Sequence, residues 1–330
     1  MKNVFITGGA GFIGSHCAIS LSKKGYTPII LDNLSNSHKS VIKKLEIIIN
    51  KKITFYNVDI RNKKKLKLIF KKHSCYAVIH CAGFKAVGES VEKPISYFDN
   101  NIGSTLSLLE CMQENKVFKL IFSSSASVYV ENQPMPLREK SKIGNTKNPY
   151  GTTKYIIEKI LMDLAKFDNR WSLRIARYFN PISNHSSGII KENTKNIPNN
   201  LIPYILKVAQ KKLKILKVFG GNYKTKDGTC IRDYIHVMDL AEGHVAMLKN
   251  NRLKKGLKVY NFGTGIGSSV LEVIKTFEKQ TGISIPFIIT KKRVGDSAVS
   301  FCNPKKALKE LNWKAKRDLN HAMMDIKKTI

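Results

Sequence analysis

Tyr150 and Lys154 stand four residues apart in Tyr150-Gly151-Thr152-Thr153-Lys154. On a helix that spacing puts a phenol and an ammonium on one face. A phenol with its ordinary pKa of about 10 is a poor base at neutral pH, but a neighbouring cation, joined by a positively charged ligand, favours the phenolate and lowers that value. The pair therefore suits removal of a proton from a hydroxyl. Tyr-x-x-x-Lys is common by chance and on its own describes equally well a half-buried tyrosine with a solvated lysine. It gains weight beside Ser123-Ser124-Ser125-Ala126-Ser127-Val128-Tyr129, read as the carboxyl end of a strand, where open α/β sheets place ligands. Ser125 is the hydroxyl expected to bridge a substrate and Tyr150, while Ser123 and Ser124 suit the satisfaction of backbone groups in a turn.

A third stretch, Thr7-Gly8-Gly9-Ala10-Gly11-Phe12-Ile13-Gly14, follows a strand and opens a helix. Glycines let the backbone turn tightly and approach a pyrophosphate, and the helix start offers free N–H groups and positive dipole. Asp32 closes the next strand at the distance expected of an acid that accepts bonds from adenosine ribose hydroxyls. A carboxylate there repels a 2′-phosphate, so NAD is expected over NADP.

The elements that must hold these groups alternate. A buried strand is expected over 2–7, a helix over 12–24 closed by Gly25, a strand over 27–32, and a Lys-rich helix near 39–49. Then come a strand over 53–58, a helix near 63–72 and a strand over 76–81. A long helix after Pro94, a strand over 118–123, a helix from about Tyr150 and a strand over 171–177 complete the series. This is the pattern of an α/β fold, a doubly wound parallel sheet of Rossmann type, with a smaller C-terminal α/β substrate lobe. The expected division is 1–180 for the NAD-binding domain and 181–330 for the substrate-binding domain, with parts of 231–262 packing back on the first.

Composition narrows the classes. The 330 residues carry 42% hydrophobic side chains, an ordinary globular content, and no run approaches the roughly 20 apolar residues of a membrane helix. Neither a signal peptide nor an anchor is visible, and no membrane partner is expected. Cys17, Cys75, Cys81, Cys111, Cys230 and Cys302 form no Cys-x-x-Cys pair and have no histidines at zinc spacing. Free thiols in a reducing cytoplasm, and no metal, are the expectation. The net charge of +33 invites a nucleic-acid reading. However, only nine of the 57 basic residues are Arg and the lysines are spread along the chain, so a solvated surface and no specific nucleic acid are expected.

With Leu31-Asp32-Asn33-Leu34-Ser35-Asn36-Ser37, Lys85-Ala86-Val87-Gly88-Glu89-Ser90, Asp99-Asn100-Asn101, Arg177-Tyr178-Phe179-Asn180-Pro181, Ile197-Pro198-Asn199-Asn200-Leu201 and Arg232-Asp233-Tyr234-Ile235-His236-Val237, nearly the whole chain resembles the extended short-chain dehydrogenase/reductase family, in its nucleotide-sugar epimerase branch. The resemblance implies that Asn33, Asn36, Ser37, Asp59, Ile60, Cys81, Ala82, Gly83, Lys85, Asn100 and Phe179 line the NAD site with Gly8, Gly11, Phe12, Ile13, Gly14, Asp32, Ser125, Tyr150 and Lys154. It implies that a UDP-sugar meets Lys85, Ser125, Tyr150, Asn180, Asn200, Leu201, Phe219, Arg232, Tyr234, Arg293, Asp296 and Ser300. Arginines suit a diphosphate because the guanidinium fork makes charge-assisted bonds. The implied activity interconverts UDP-galactose and UDP-glucose by transient oxidation at C4 and re-reduction on the opposite face, in a homodimer built on the helices after Pro94 and Tyr150.

The family's glycine after the Val-Tyr pair is Val130 here, and another, expected after Asn-Pro-Val, is Ser183. The chain also ends sooner than the resemblance suggests, as if a terminal helix were trimmed. Ser300 occupies a position that resembles a gate beside the sugar, so its small size implies some activity on UDP-N-acetylglucosamine and its galacto epimer. Another nucleotide-sugar enzyme of the family stays open, a decarboxylase or a dehydratase, although a dehydratase would carry Asp-Glu where Ala126-Ser127 stands. A non-catalytic NAD-binding protein also stays open.

Overall fold

The computed structural model describes residues 1–192, 200–250, 255–293 and 296–330. The chain packs as two compact units. One comprises residues 1–130, 142–177 and 241–260, and the other 131–141, 178–240 and 261–330.

In the first unit β1 (Lys2–Thr7), α1 (Phe12–Ser22), β2 (Tyr26–Asp32), α2 (Ser40–Ile49), β3 (Thr54–Asn57), α3 (Lys63–Lys72) and β4 (Cys75–His80) alternate. They are followed by α4 (Val87–Glu92), α5 (Pro94–Phe98), a π turn (Asp99–Gly103), α6 (Ser104–Glu114), β5 (Lys119–Ser125), α7 (Pro149–Phe167) and β6 (Ser172–Tyr178). Beyond it come β7 (Asn180–Ile182), α8 (Leu201–Ala209), β8 (Leu216–Phe219), β9 (Ile231–His236), α9 (Val237–Lys249), β10 (Gly256–Phe262), β11 (Gly267–Ser269), α10 (Val270–Thr281), β12 (Phe287–Thr290), β13 (Val299–Ser300), α11 (Lys305–Leu311) and α12 (Leu319–Lys327). The central sheet has the order β10-β6-β5-β4-β1-β2-β3, with β1 parallel to both β2 and β4. This is the expected doubly wound arrangement, and β10, far along the chain, forms its edge.

The strands are apolar on both faces because helices cover both sides; Val4, Phe5, Ile6, Val78, Ile79, Leu120 and Ile121 are all buried. On α3 the apolar Leu66, Ile69 and Phe70 share one face, the i, i+3, i+4 spacing of an amphipathic helix amid lysines. Asn62 caps its start by accepting from Lys65 N. Two boundaries differ from the sequence expectation. Helix α1 ends at Ser22 with Lys23 as its cap, and Gly25, two residues further on, takes the left-handed φ of +80° that begins the turn into β2. The stretch after Pro94 is not one regular helix: the π turn swells it, which turns Asn100 and Asn101 inward, where both are buried.

The second unit holds a sheet ordered β11-β9-β13, with β7 also paired to β9, and a two-stranded sheet of β12 and β8. Its core gathers Ile205, Val218, Phe277, Met323 and Ile326. Ser269 and Glu272 form a reciprocal capping box at the start of α10, and Gly282 closes the helix at φ +76°. Among the described residues no helix is long and apolar enough to cross a membrane.

Candidate active site

The glycines of the first loop are required for different reasons. A Cβ on Gly8, whose φ is +66°, would stand 2.7 Å from Ala82 N. One on Gly14 would stand 2.3 Å from the Gly8 carbonyl oxygen, and one on Gly9 2.7 Å from Ile30 Cγ2. Those three are demanded by the protein's own packing. Gly11 is not: its Cβ would approach only Gly8 O, at 3.1 Å. Gly11 is the N-cap of α1, with no side-chain cap and no acid in the first turn. A bare helix start behind a residue with no side chain has the free N–H groups and the room that suit a pyrophosphate. Phe12 and Ile13, both half-buried, form its rim. At the end of β2, the Asp32 carboxylate accepts from Ala10 N at 3.0 Å, Leu34 N at 2.8 Å and Ser37 Oγ at 2.9 Å. It thus fixes both the glycine loop and the following turn, with acceptor capacity left for a diol. Asn33 donates to Asp59 at 3.2 Å, while Asn36 is exposed. Hydrogen bonds from Arg61 hold the Asp59 carboxyl below its ordinary range. The side chain of Ile60 is buried in the hydrophobic core, leaving its main chain to face any ligand.

Tyr150 and Lys154 lie in the first turns of α7, which begins with Pro149 and is capped by Asn148 accepting from Gly151 N at 2.8 Å. Lys154 is 6% exposed. Its Nζ donates to Ser123 O at 2.8 Å and lies 5.9 Å from the Tyr150 ring centroid. Burial pulls its pKa down to about 8, although Cys81 and Glu158 oppose the fall. Burial acts on Tyr150 as well. Burial raises the phenol above its ordinary value, and the opposing influence is the hydrogen bond from Ser125, not the lysine.

Behind this pair lies a connected set of neutral groups, of which sequence reading singled out Asn100 and Gly83 but not His80 or Thr105. Thr7 Oγ1 and His80 Nδ1 are 2.7 Å apart, and His80 Nε2 and Thr105 Oγ1 are 2.9 Å apart. Burial, then the charge of Lys154, lowers the His80 pKa to about 3, so the ring is neutral. Asn101 accepts from Phe84 N at 2.7 Å and donates to Thr153 Oγ1 at 3.0 Å. Asn100 in turn donates to Asn101 Oδ1 at 3.0 Å. Gly83, at φ +148°, lies against Asn101 and Lys154, where an added Cβ would stand 3.2 Å from Asn101 Oδ1. Ser123 and Ser124 do more than close a turn. Ser123 Oγ donates to Cys81 Sγ at 3.1 Å, and Ser124 bonds Glu158, which forms a buried ion pair with Arg177 at 2.6 Å. Ser125 Oγ accepts from Ser127 N at 3.2 Å. Lys85 is exposed, and Ala82 N donates to Thr7 Oγ1 at 3.3 Å.

The second unit carries a charge cluster. Arg293 Nε donates to Asp296 at 3.0 Å, and the other oxygen of that carboxylate is 3.6 Å from Arg232. The Arg293 guanidinium stacks on Phe219 at 4.7 Å from the ring centroid. Strand β9 presents Arg232 and Tyr234 at alternate positions, and β13 sets Ser300 opposite Arg232 while β7 sets Asn180 opposite Tyr234. Tyr234 is buried, which raises its phenol pKa. Asn200 is the N-cap of α8 with no side-chain cap bond, and Leu201 is the first helical residue; Ile197, Pro198 and Asn199 lie outside the described residues. Phe179 is buried, its N–H bonded to Phe262 O at 3.2 Å. Asp233, between the two site residues of β9, is structural: it accepts from Thr264 N at 2.7 Å and Gly265 N at 3.0 Å.

The two substituted glycine positions differ. Val130 is absent from the left-handed residues and pairs through its N–H with Lys142 O at 3.0 Å, so a side chain there is harmless. Ser183 does take φ +75°, and its hydroxyl donates to Ala322 O at 2.9 Å, which offsets part of the strain.

Residues 4–263 match the family model described as the NAD dependent epimerase/dehydratase family. The UDP-glucose 4-epimerase of Neisseria meningitidis serogroup C is 48% identical over 98% of this chain and 96% of its own. That of Dictyostelium discoideum is 50% identical over 94% and 91% respectively. The crystal structure of UDP-glucose 4-epimerase from Bifidobacterium longum in complex with NAD+ and UDP matches with a TM-score of 0.96 at 46% identity, covering 99% of this chain and 98% of that one. A cofactor cradle and a Tyr-Lys-Ser centre on a doubly wound sheet agree with sequence likeness along almost the full length: the chain belongs to the NAD-dependent epimerase/dehydratase family.

Proposed function

We propose that the protein interconverts UDP-galactose and UDP-glucose, using NAD retained on the first unit. The observation that carries this reading is the joint presence of the Gly11 cradle with Asp32 and the set of buried Lys154 with half-buried Tyr150 and Ser125, in a chain about half identical to enzymes of that activity. Bound NAD supplies an acceptor and donor of hydride for the sugar C4. Tyr150 takes the proton of the 4-hydroxyl and returns it, with Ser125 positioned to pass or steady that proton. Burial raises the Tyr150 pKa, so further positive charge beside the phenol favours its action as a base. Lys154, held by Ser123 O, keeps its ammonium close to the phenol.

Arg232 and Arg293 grip the diphosphate, exchanging Asp296 for phosphate oxygens, and Phe219 packs its ring on the ligand side of Arg293. The small Ser300, opposite Arg232 on the neighbouring strand, leaves room for an N-acetyl group, which supports a side activity on UDP-N-acetylglucosamine and UDP-N-acetylgalactosamine. The division into an NAD domain and a UDP-sugar domain follows the two compact units. A homodimer is supported by apolar side chains exposed on the helical face: Val91, Ile95 and Leu106, with Phe167 at the end of α7. A cytoplasmic location fits six free thiols.

The test is to give the purified protein UDP-galactose without added NAD and resolve the products by chromatography. UDP-glucose is expected from the unmodified protein and not from Tyr150→Phe. Silence even with NAD added, or equal turnover by the variant, overturns the reading.

A further inference from the structure

The described cysteines are not all isolated. Cys17 on α1, Cys81 at the end of β4 and His244 on α9 each offer one ligand atom, and these atoms lie within 4.8 Å of one another. Cys17 and His244 are fully buried and Cys81 is half-buried. We infer that this trio is a binding site for a soft divalent ion of the Zn2+ class. Two sulfurs and an imidazole form a donor set that selects such ions and rejects Mg2+ and Ca2+, which need oxygen ligands. A tetrahedral ion with bonds of about 2.3 Å to sulfur and about 2.0 Å to nitrogen sets its ligand atoms roughly 3.5–3.8 Å apart. Side-chain shifts of about an ångström or less therefore close the cluster. Binding releases one proton from each thiol, and the dication with two thiolates is neutral, as a buried site requires. An imidazole has two nitrogens, so His244 can ligate with one and leave the other for a hydrogen bond. Ser123 Oγ, 3.1 Å from Cys81 Sγ, stands beside the cluster as an oxygen donor. Because Ser123 O also holds Lys154, an ion here acts on the catalytic lysine through one residue, and occupancy slows turnover.

The experiment titrates the protein as purified, under a phosphine reductant, with Co2+ and follows the visible absorption. One equivalent is expected to raise the intense bands of tetrahedral cobalt with a sulfur charge-transfer band, and Zn2+ is expected to abolish them. Cys17→Ser is expected to weaken binding by more than about 10-fold, since changes even behind the ligands cost that much. No bands at stoichiometric Co2+, or bands unchanged in Cys17→Ser, overturn the site. X-ray absorption at the zinc edge of the unmodified protein needs no variant. A shell with two sulfurs supports the inference and a shell of nitrogen and oxygen alone refutes it. Neither readout depends on the epimerase activity.

Discussion

The Tyr150 centre and the Arg232–Arg293 cluster solve opposite problems. Around Tyr150 nearly every group is buried and committed. Lys154 is fixed to a carbonyl, His80 is neutral between two threonines, and Asn101 bonds the backbone of Phe84 and the hydroxyl of Thr153. Around the arginines the groups are partly exposed, Arg293 being 47%, Asp296 25% and Arg232 16% exposed, and Asp296 links the two by ion pairs that a ligand can replace. Chemistry that moves a proton needs atoms placed in advance, because desolvated polar groups cannot afford to be unpaired. Gripping a diphosphate needs charges that can change partner at small cost, and half-exposed ion pairs are weak enough to do so.

That contrast breaks most sharply at Tyr150. Tyr150→Phe is expected to lower kcat by about 10²–10⁴-fold with KM nearly unchanged, measured as UDP-glucose formed from UDP-galactose. A change confined to KM would move Tyr150 from chemistry to binding. Arg232→Ala is expected to do the converse, raising KM by about 10–100-fold, the equivalent of about 1.5–3 kcal/mol for bonds to a charged group. Its penalty should shrink as salt rises; a loss confined to kcat would abolish the distinction between the two regions.

The buried His80 sharpens the comparison through pH. Its folded pKa of about 3 lies below the ordinary value of 6.5, so acid protonates the unfolded chain first. The contribution of its neutral form is intact above pH 6.5 and is lost as pH falls from there toward 3. By linkage this amounts to about 1.4 kcal/mol per pH unit, or about 2 kcal/mol at pH 5. Urea midpoints of His80→Gln, which keeps a donor and an acceptor, should fall less steeply between pH 6.5 and 5; parallel curves would mean the ring is protonated in the fold. The smallest effect is expected in the second unit. Ser183→Ala keeps the strain of φ +75° but loses the bond to Ala322, costing about 1 kcal/mol. Ser183→Gly trades that bond for relief of about 1 kcal/mol and should melt closer to the parent. Calorimetry showing Ala above Gly would remove the backbone strain from the explanation, and Ala level with the parent would remove the hydroxyl.

Much of the first unit was legible because its signals are local. Apolar strands buried on both faces, glycines at forced turns and an acid closing β2 follow from backbone geometry within a few residues. Tyr150 and Lys154 share a face by helical period alone. Less legible were the π turn that brings Asn101 inward, since no residue type demands one, and the raised pKa of Tyr150, since burial is a property of the packed neighbours. The second unit offered weaker signals, and only the register of β7, β9 and β13 sets Asn180 and Ser300 opposite Tyr234 and Arg232.

By itself, then, the order of residues determined the α/β alternation, the glycine-rich loop and the phenol–ammonium pair, because each depends on short-range sterics and periodicity. Tertiary structure alone decided which polar groups meet. It placed His80 between Thr7 and Thr105, set Glu158 on Arg177, and gathered Cys17, Cys81 and His244 from three distant elements. Contacts of that kind arise where helices and strands remote in the chain pack across one sheet, and no local rule specifies them.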